Sequence, residues 1–278
     1  MNYEEAREYL DQVSKGGSVL GLDNMRELLK RLENPQDSLK FVHISGTNGK
    51  GSVLAYVSTV FKEAGYRTGR YISPTLFSYR EKIQVNERFI GREDLARLTA
   101  KVKKAAEEMK NSGKGSPTIF EIETALAFLY FVEQKCDIVI LETGLGGALD
   151  ATNVITTSVM EVITSISMDH MEFLGDTLGK IALQKAGIIK PHTAVVSAMQ
   201  ETEAAEVILD VCRKKECICN MVDPKQIEHI SYGCDGQSFS YKNWDNIKIS
   251  LMGSYQIKNA ALALEAIEAL REDRKSVV

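Results

Sequence analysis

The 278-residue sequence predicts an α/β fold: a doubly wound, mostly parallel sheet carrying a phosphate-binding loop, with a small β meander near the C-terminus. Three observations predict it. Continuous apolar runs at LKFVHIS (39–45), CDIVILE (136–142), EVITSIS (161–167) and TAVVSA (193–198) read as strands covered on both faces. Helical patterns separate them, as a doubly wound sheet requires. A glycine-rich stretch, HISGTNGKGSV (43–53), lies where the first strand hands over to a helix.

The elements follow in order. Residues 3–14 have a helical pattern. DNMRELLKRLE (23–33) is a second helix, with Asp23 as N-cap and Met25, Leu28, Leu29 and Leu32 on one side; Asn34-Pro35 ends it. The strand at 39–45, the glycine loop, an apolar helix over 52–65 closed by Gly65 and a strand at 66–73 form a βαβ unit. Ser73 to Arg92 has no clean period and reads as a long loop or hairpin. Residues 93–110 are a charged, exposed helix, and 118–134 a more apolar one. Helices near 176–186 and 201–215 flank the later strands. From Cys217 to Leu251, short runs (ICNMV, SFSYK, IKISL) predict the meander. QIKNAALALEAIEALRE (256–272) is a final helix, and DRKSVV a frayed end. The expected organisation is one domain over 1–272: N-terminal helices at 1–38, a core at 39–215, the meander at 216–252 and the last helix at 253–272.

Composition narrows the function. Hydrophobic residues make up 44% and charged residues 26%, ordinary for a soluble globular chain. The net charge of −4 argues against broad nucleic-acid binding, which needs a basic face. The longest purely apolar stretch, Ala125 to Val132, is too short to span a bilayer, and the acidic N-terminus is no signal peptide. The five cysteines, Cys136, Cys212, Cys217, Cys219 and Cys234, form no C-x-x-C pair and read as free thiols in a reducing compartment. The expectation is a cytoplasmic protein with no membrane and no nucleic-acid partner.

Four stretches carry chemistry. The loop Gly46-Thr47-Asn48-Gly49-Lys50-Gly51-Ser52 departs from G-x-x-x-x-G-K-[ST], because Ile44 holds the leading position and Gly51 intervenes before Ser52. Its chemistry is still that of phosphate: backbone amides wrap the anion at a helix start, Lys50 reaches the terminal phosphates and Ser52 offers an oxygen to Mg²⁺. The bland alternative is a tight turn whose glycines serve packing. In DIVILETGLGGALDATNVI (137–155), Glu142 ends a buried strand, where ligand crevices of open α/β sheets lie, and is a candidate Mg²⁺ ligand. Asp169 and His170 follow a further strand. Lys185 stands in an otherwise apolar helix, either snorkelling or facing the cleft. Gln256 and Asn259 open the last helix, as caps or as partners of a nucleobase.

Taken together, GLDNMRELLKRLENPQ, HISGTNGKGSV, YISPTLFSYREKIQVN, TIFEIETALAFLYF, ETGLGGALDATNV, DHMEFLGDTLGKIALQKAGIIK and GSYQIKNAALAL resemble the folylpolyglutamate synthase and dihydrofolate synthase branch of the Mur ligase family, from about Gly21 to Leu270. The resemblance implies a Mur ligase central-domain fold and an ATP-dependent ligase that joins L-glutamate to a folate carboxylate, with dihydropteroate a further candidate acid. It implies that residues 46–52 cradle the triphosphate, with Lys50 on the β- and γ-phosphates. Of two Mg²⁺ ions, the first is assigned to Ser52 and Glu142, the second to Ser73 and His170. Lys50, His170 and Lys185 become the catalytic set, Lys185 matching the lysine this family carbamylates. Asn259 lies near the adenine. The loops carrying Pro74, Phe77 and Arg80, and Asp150 and Thr152, contact the folate. The partners implied are ATP, folate and L-glutamate, the state a monomer.

The sequence departs from the family pattern at Ala148, where a basic residue is usual, at Thr75 and Tyr255, where histidine is frequent, and at Gln184, where glutamate is usual. Family ligases also continue into a second α/β domain, so the chain reads as a short form without the C-terminal ligase domain and with weak or no ligation alone. The competing readings are a Mur-type ligase for another acid and a non-catalytic nucleotide-binding module.

Overall fold

The computed structural model describes residues 1–17 and 19–275; of the tail expected to fray, residues 276–278 lie outside the described residues. In chain order the elements begin with α1 (Tyr3–Ser14), α2 (Asp23–Arg31), β1 (Phe41–Ser45), α3 (Lys50–Glu63) and β2 (Thr68–Tyr71). Next come β3 (Ile83–Val85), β4 (Arg88–Phe89), α4 (Arg92–Asn111), α5 (Ile119–Glu133), β5 (Ile138–Glu142) and β6 (Ser158–Ile163). The chain continues through α6 (Met171–Leu174), α7 (Leu178–Ala186), β7 (Ala194–Ser197), α8 (Thr202–Lys214) and β8 (Ile218–Met221). It ends with β9 (Ile227–Gly233), β10 (Gly236–Tyr241), β11 (Trp244–Ile249) and α9 (Ser254–Lys275). The fold is α/β, with a mostly parallel sheet and a separate antiparallel sheet of order β11-β10-β9. The chain divides into two compact units, Met1–Val42 with Phe61–Ser158, and His43–Val60 with Val159–Val278.

In the first unit the strands neighbour one another in the order β4-β3-β2-β5. β2 runs parallel to β5, while β3 and β4 are antiparallel, so the segment read as a loop or hairpin is a hairpin at 83–89. α5 is buried from Glu121 to Phe131 without a break, and apart from Glu121, Glu123 and Thr124 that stretch is apolar. It starts at a capping box, in which Thr118 Oγ1 accepts from the Glu121 amide and the Glu121 carboxylate accepts from the Thr118 amide. Phe128 and Phe131 of α5 are fully buried, and Gly69 of β2 leaves room for the Phe131 ring, which a Cβ at Gly69 would meet at 2.8 Å. Met25, Leu28 and Leu29 of α2 join this core, as their spacing predicted. Asp23 is not the N-cap: it is the first helical residue, and the capping position, Leu22, offers no side-chain bond.

In the second unit the order is β1-β6-β7-β8, β1 contributing from His43 onward, and β6, β7 and β8 run parallel. Two sequence expectations are corrected. ICNM is not part of the meander: it is β8, with Val196 opposite Asn220 on β7, so the meander is confined to 227–249. The run EVITSIS leaves its strand after Ile163, because the backbone of Ser165 turns to accept from the amides of Thr47 and Asn48 in the glycine loop. α9 packs on β7, β8 and β10, which brings its first turn to that loop. Among the described residues no helix is long and apolar enough to cross a membrane.

Candidate functional site

The glycine loop connects β1 to α3, so the free amides of a helix N-terminus open directly onto it. Gly46 and Gly49 have φ of +149° and +88°, which side-chain-bearing residues seldom adopt. A Cβ at Gly46 would collide with the Thr164 side chain, and one at Gly49 would lie 2.5 Å from Asn259 Oδ1. Glycine at these two positions therefore lets neighbouring polar groups close on the loop. The far side is held by residues 164–167: Thr47 Oγ1 donates to Ser167 O and accepts from the Ser167 amide. Asn48 Nδ2 donates to Ser167 Oγ.

Two ammonium groups converge on the loop. Lys50 Nζ donates to Gly46 O at 3.2 Å and to Thr47 O at 3.3 Å, and Lys185 Nζ donates to Gly46 O at 2.8 Å. Lys185 is 3% exposed, so it does not snorkel to solvent; α7 points it inward. Thr164 Oγ1 is buried beside Gly46 without a hydrogen-bond partner. From α9, Gln256 Nε2 donates to Ser52 Oγ at 3.1 Å, and Asn259 Nδ2 donates to Gln256 Oε1. Gln256 thus reaches the loop rather than capping its own helix, and Asn259 braces Gln256 while lying against Gly49. Amides, two cations and an unused hydroxyl around one turn suit a polyanion.

His170 stands in the left-handed region at the start of α6, exposed, with Nε2 3.5 Å from Asp169 Oδ2. Among the described residues no three His, Cys, Asp or Glu side chains converge in a metal-ready group.

In the first unit Glu142 ends β5, buried, and Oε2 accepts from the Ser73 amide at 3.4 Å. The turn after it is pressed on Phe120, whose ring a Cβ at Gly144 would meet at 2.6 Å. Asp150 is fully inside this turn and accepts from the amides of Leu145 and Thr152 and from the Thr152 hydroxyl. Burial raises the Asp150 pKa against the lowering pull of those bonds. These bonds of Asp150 and Thr152 shape the turn. Arg80 likewise donates to Ile90 O at 3.0 Å. Pro74 follows a cis Ser73–Pro74 bond, and Leu76 and Phe77 project from the same loop, 83% and 94% exposed.

Some contributors escaped the sequence reading. Glu81 gathers the loop by accepting from the amides of Leu76, Phe77 and Ser78, and these bonds, Leu76's first, hold its carboxyl below the usual range. Its signal was present as the S-x-x-E pattern of Ser78 and Glu81. Gln200 braces the segment facing the glycine loop, donating to Thr164 O and accepting from the Ile166 amide; no local pattern announces so distant a contact.

This combination defines the class: the chain belongs to the Mur ligase family, whose middle-domain model matches residues 44–267. Within it, the relatives are folate enzymes. The dihydrofolate synthase/folylpolyglutamate synthase of Bacillus subtilis is 39% identical, covering 98% of this chain and 64% of that protein. A solved FPGS–AMPPCP–folate complex superposes with a TM-score of 0.91 at 30% identity, covering 99% of this chain and 68% of that one. The folylpolyglutamate synthase of Thermotoga maritima gives a TM-score of 0.85 at 36% identity, covering 96% and 62%. The chain thus spans just under two thirds of the length of the Bacillus relative.

Proposed function

We propose that this chain supplies the ATP-binding and folate-binding parts of a ligase that joins L-glutamate to a folate carboxylate, dihydropteroate being a second candidate acid. The observation that carries the reading is the glycine loop with Lys50 and Lys185 on one carbonyl and Asn259 against Gly49. The likeness to an enzyme solved with AMPPCP and folate supports it.

A carboxylate is a poor electrophile, so the acid must be activated. Its oxygen attacks the γ-phosphorus of ATP, the bond to the β-phosphate bridging oxygen breaks, and ADP leaves an acyl phosphate. The α-amine of glutamate then attacks the acyl carbon, loses a proton and expels phosphate. Lys50 accompanies the charge that moves between the β- and γ-phosphates, and the loop amides hold the chain of phosphates in line. Ser52, Ser73, Glu142 and His170 are the donors we assign to Mg²⁺; the hydroxyls and the carboxylate are hard oxygen ligands that suit it. The ions supply charge neutralisation between two anions. Lys185, buried beside the loop, is assigned as the carbamylated lysine. Leu76 and Phe77, apolar and exposed next to cis-Pro74, offer the flat surface an aromatic acid needs. We further assign the chain to the cytoplasm, in keeping with its five free cysteines, and assign it as a monomer.

Phosphate release from ATP by the purified chain tests this. Release requiring both a folate and glutamate supports the reading. Release driven by another acid points to a different substrate, and ATP binding without release under any acid leaves a nucleotide-binding module.

A further inference from the structure

The substrate-facing loop has an anchor that the assigned chemistry does not use. Tyr79 and Lys82 close the segment that displays Leu76 and Phe77, and both reach into the protein to the same carboxylate. Tyr79 Oη donates to Glu123 Oε1 at 2.6 Å, and Lys82 Nζ pairs with Glu123 Oε2 at 2.5 Å. Glu123 lies on α5, 4% exposed, within the stretch 121–131 that is buried throughout. A carboxylate in such a place is costly unless both oxygens are satisfied, and here each oxygen has one loop residue. The Arg7 guanidinium of α1 lies 3.5 Å from the centroid of the Tyr79 ring and is itself held by Asp11. The neighbouring Thr124 hydroxyl bonds the Tyr71 hydroxyl at the end of β2, just before the loop begins.

We propose that Glu123 is a positioning residue for the acid substrate: it fixes the loop at Tyr79 and Lys82 so that Leu76 and Phe77 stand ready for an aromatic ligand. Glu81 organises the same loop from within, through the amides of Leu76, Phe77 and Ser78. Glu123 ties that local knot to the core. The two carboxylates divide the work, one shaping the turn and the other setting where the turn sits on α5. The tie is between side chains only, so it can be loosened without cutting the backbone. This inference rests on the folate reading of the loop, and the test separates the two.

The test compares wild type, Glu123→Gln and Tyr79→Phe in the full chain by hydrogen exchange at residues 76–82 and by titration with dihydropteroate and with ATP. Tyr79→Phe keeps the Glu123–Lys82 pair and guards against a Glu123→Gln protein that fails to fold. The expected result is faster exchange confined to 76–82 and acid-substrate affinity weakened about tenfold, the scale of a hydrogen bond to a charged group, with ATP affinity unchanged. Unchanged exchange overturns the tether. Faster exchange with unchanged acid affinity overturns the positioning role. A wild-type chain that binds no folate-type acid overturns the reading of the loop instead, and exchange at 76–82 still decides whether Glu123 anchors it.

Discussion

Lys50 and Lys185 donate to the same carbonyl oxygen, that of Gly46, although 135 residues separate them by their numbers. One lysine comes from the start of α3, the other from the buried face of α7. A single oxygen thus gathers two cations at the mouth of a helix N-terminus, where an anion gains from both while Lys185 is unmodified; carbamylation would turn Lys185 into an anion able to hold a divalent cation there instead.

The first prediction concerns Lys185. Replacing it by Met removes a buried charge together with its hydrogen bond. ATP affinity in calorimetry should fall by roughly tenfold or more, on the scale of one charge-assisted bond. Bicarbonate should add the mass of one CO₂ to the wild-type chain under native mass spectrometry and none to Lys185→Met.

Gly49→Ala should strain the loop twice. Its φ of +88° is costly for alanine, by about 1–3 kcal/mol, and the new Cβ meets Asn259 Oδ1. Adding Asn259→Ala relieves the contact and not the backbone. Thermal unfolding should therefore show the double variant between Gly49→Ala and wild type.

His43 should govern stability in mild acid. It is fully buried in β1, and burial, with the Lys190 charge, depresses its pKa from 6.5 to about 3. The folded state keeps it neutral while the unfolded chain takes up a proton below pH 6.5. Its contribution is complete above that pH and is lost as the pH falls toward 3. Between pH 6.5 and 5 urea titrations should lose on the order of 1 kcal/mol per pH unit, and His43→Gln should flatten that slope.

Leu76→Ala and Phe77→Ala should leave stability within about 0.5 kcal/mol of wild type, since both side chains lie in solvent. They should weaken binding of a folate acid while ATP titrations stay unchanged. Loss of melting temperature in either would show the loop to be structural.

Much of this was legible in the residues. Apolar runs and the helical periods between them located β1, β5, β6 and β7, because strands covered on both faces leave little room for polar residues; β2, whose TGRY is mostly polar, is legible from its place in the βαβ unit. The glycine loop announced itself through Gly46, Gly49 and Lys50. What stayed hidden depended on partners far along the chain. EVITSIS reads as one strand, yet it breaks after Ile163 to serve Thr47 and Asn48. ICNM looks like its meander neighbours and pairs instead with β7, since alternation cannot name a partner. Asp150 and Thr152 bond within their own loop, a link that the order of residues alone does not announce. Glu123 looks like an error in an apolar helix until Tyr79 and Lys82 are found on it.

The most direct test of the central claim is calorimetric titration of the chain with ATP and Mg²⁺ beside Lys50→Ala. The account predicts saturable one-site binding to the wild type and its loss in the variant, with the fold unchanged by circular dichroism. Equal binding by both proteins, or none by the wild type, would contradict the assignment of the 46–52 loop as the phosphate site.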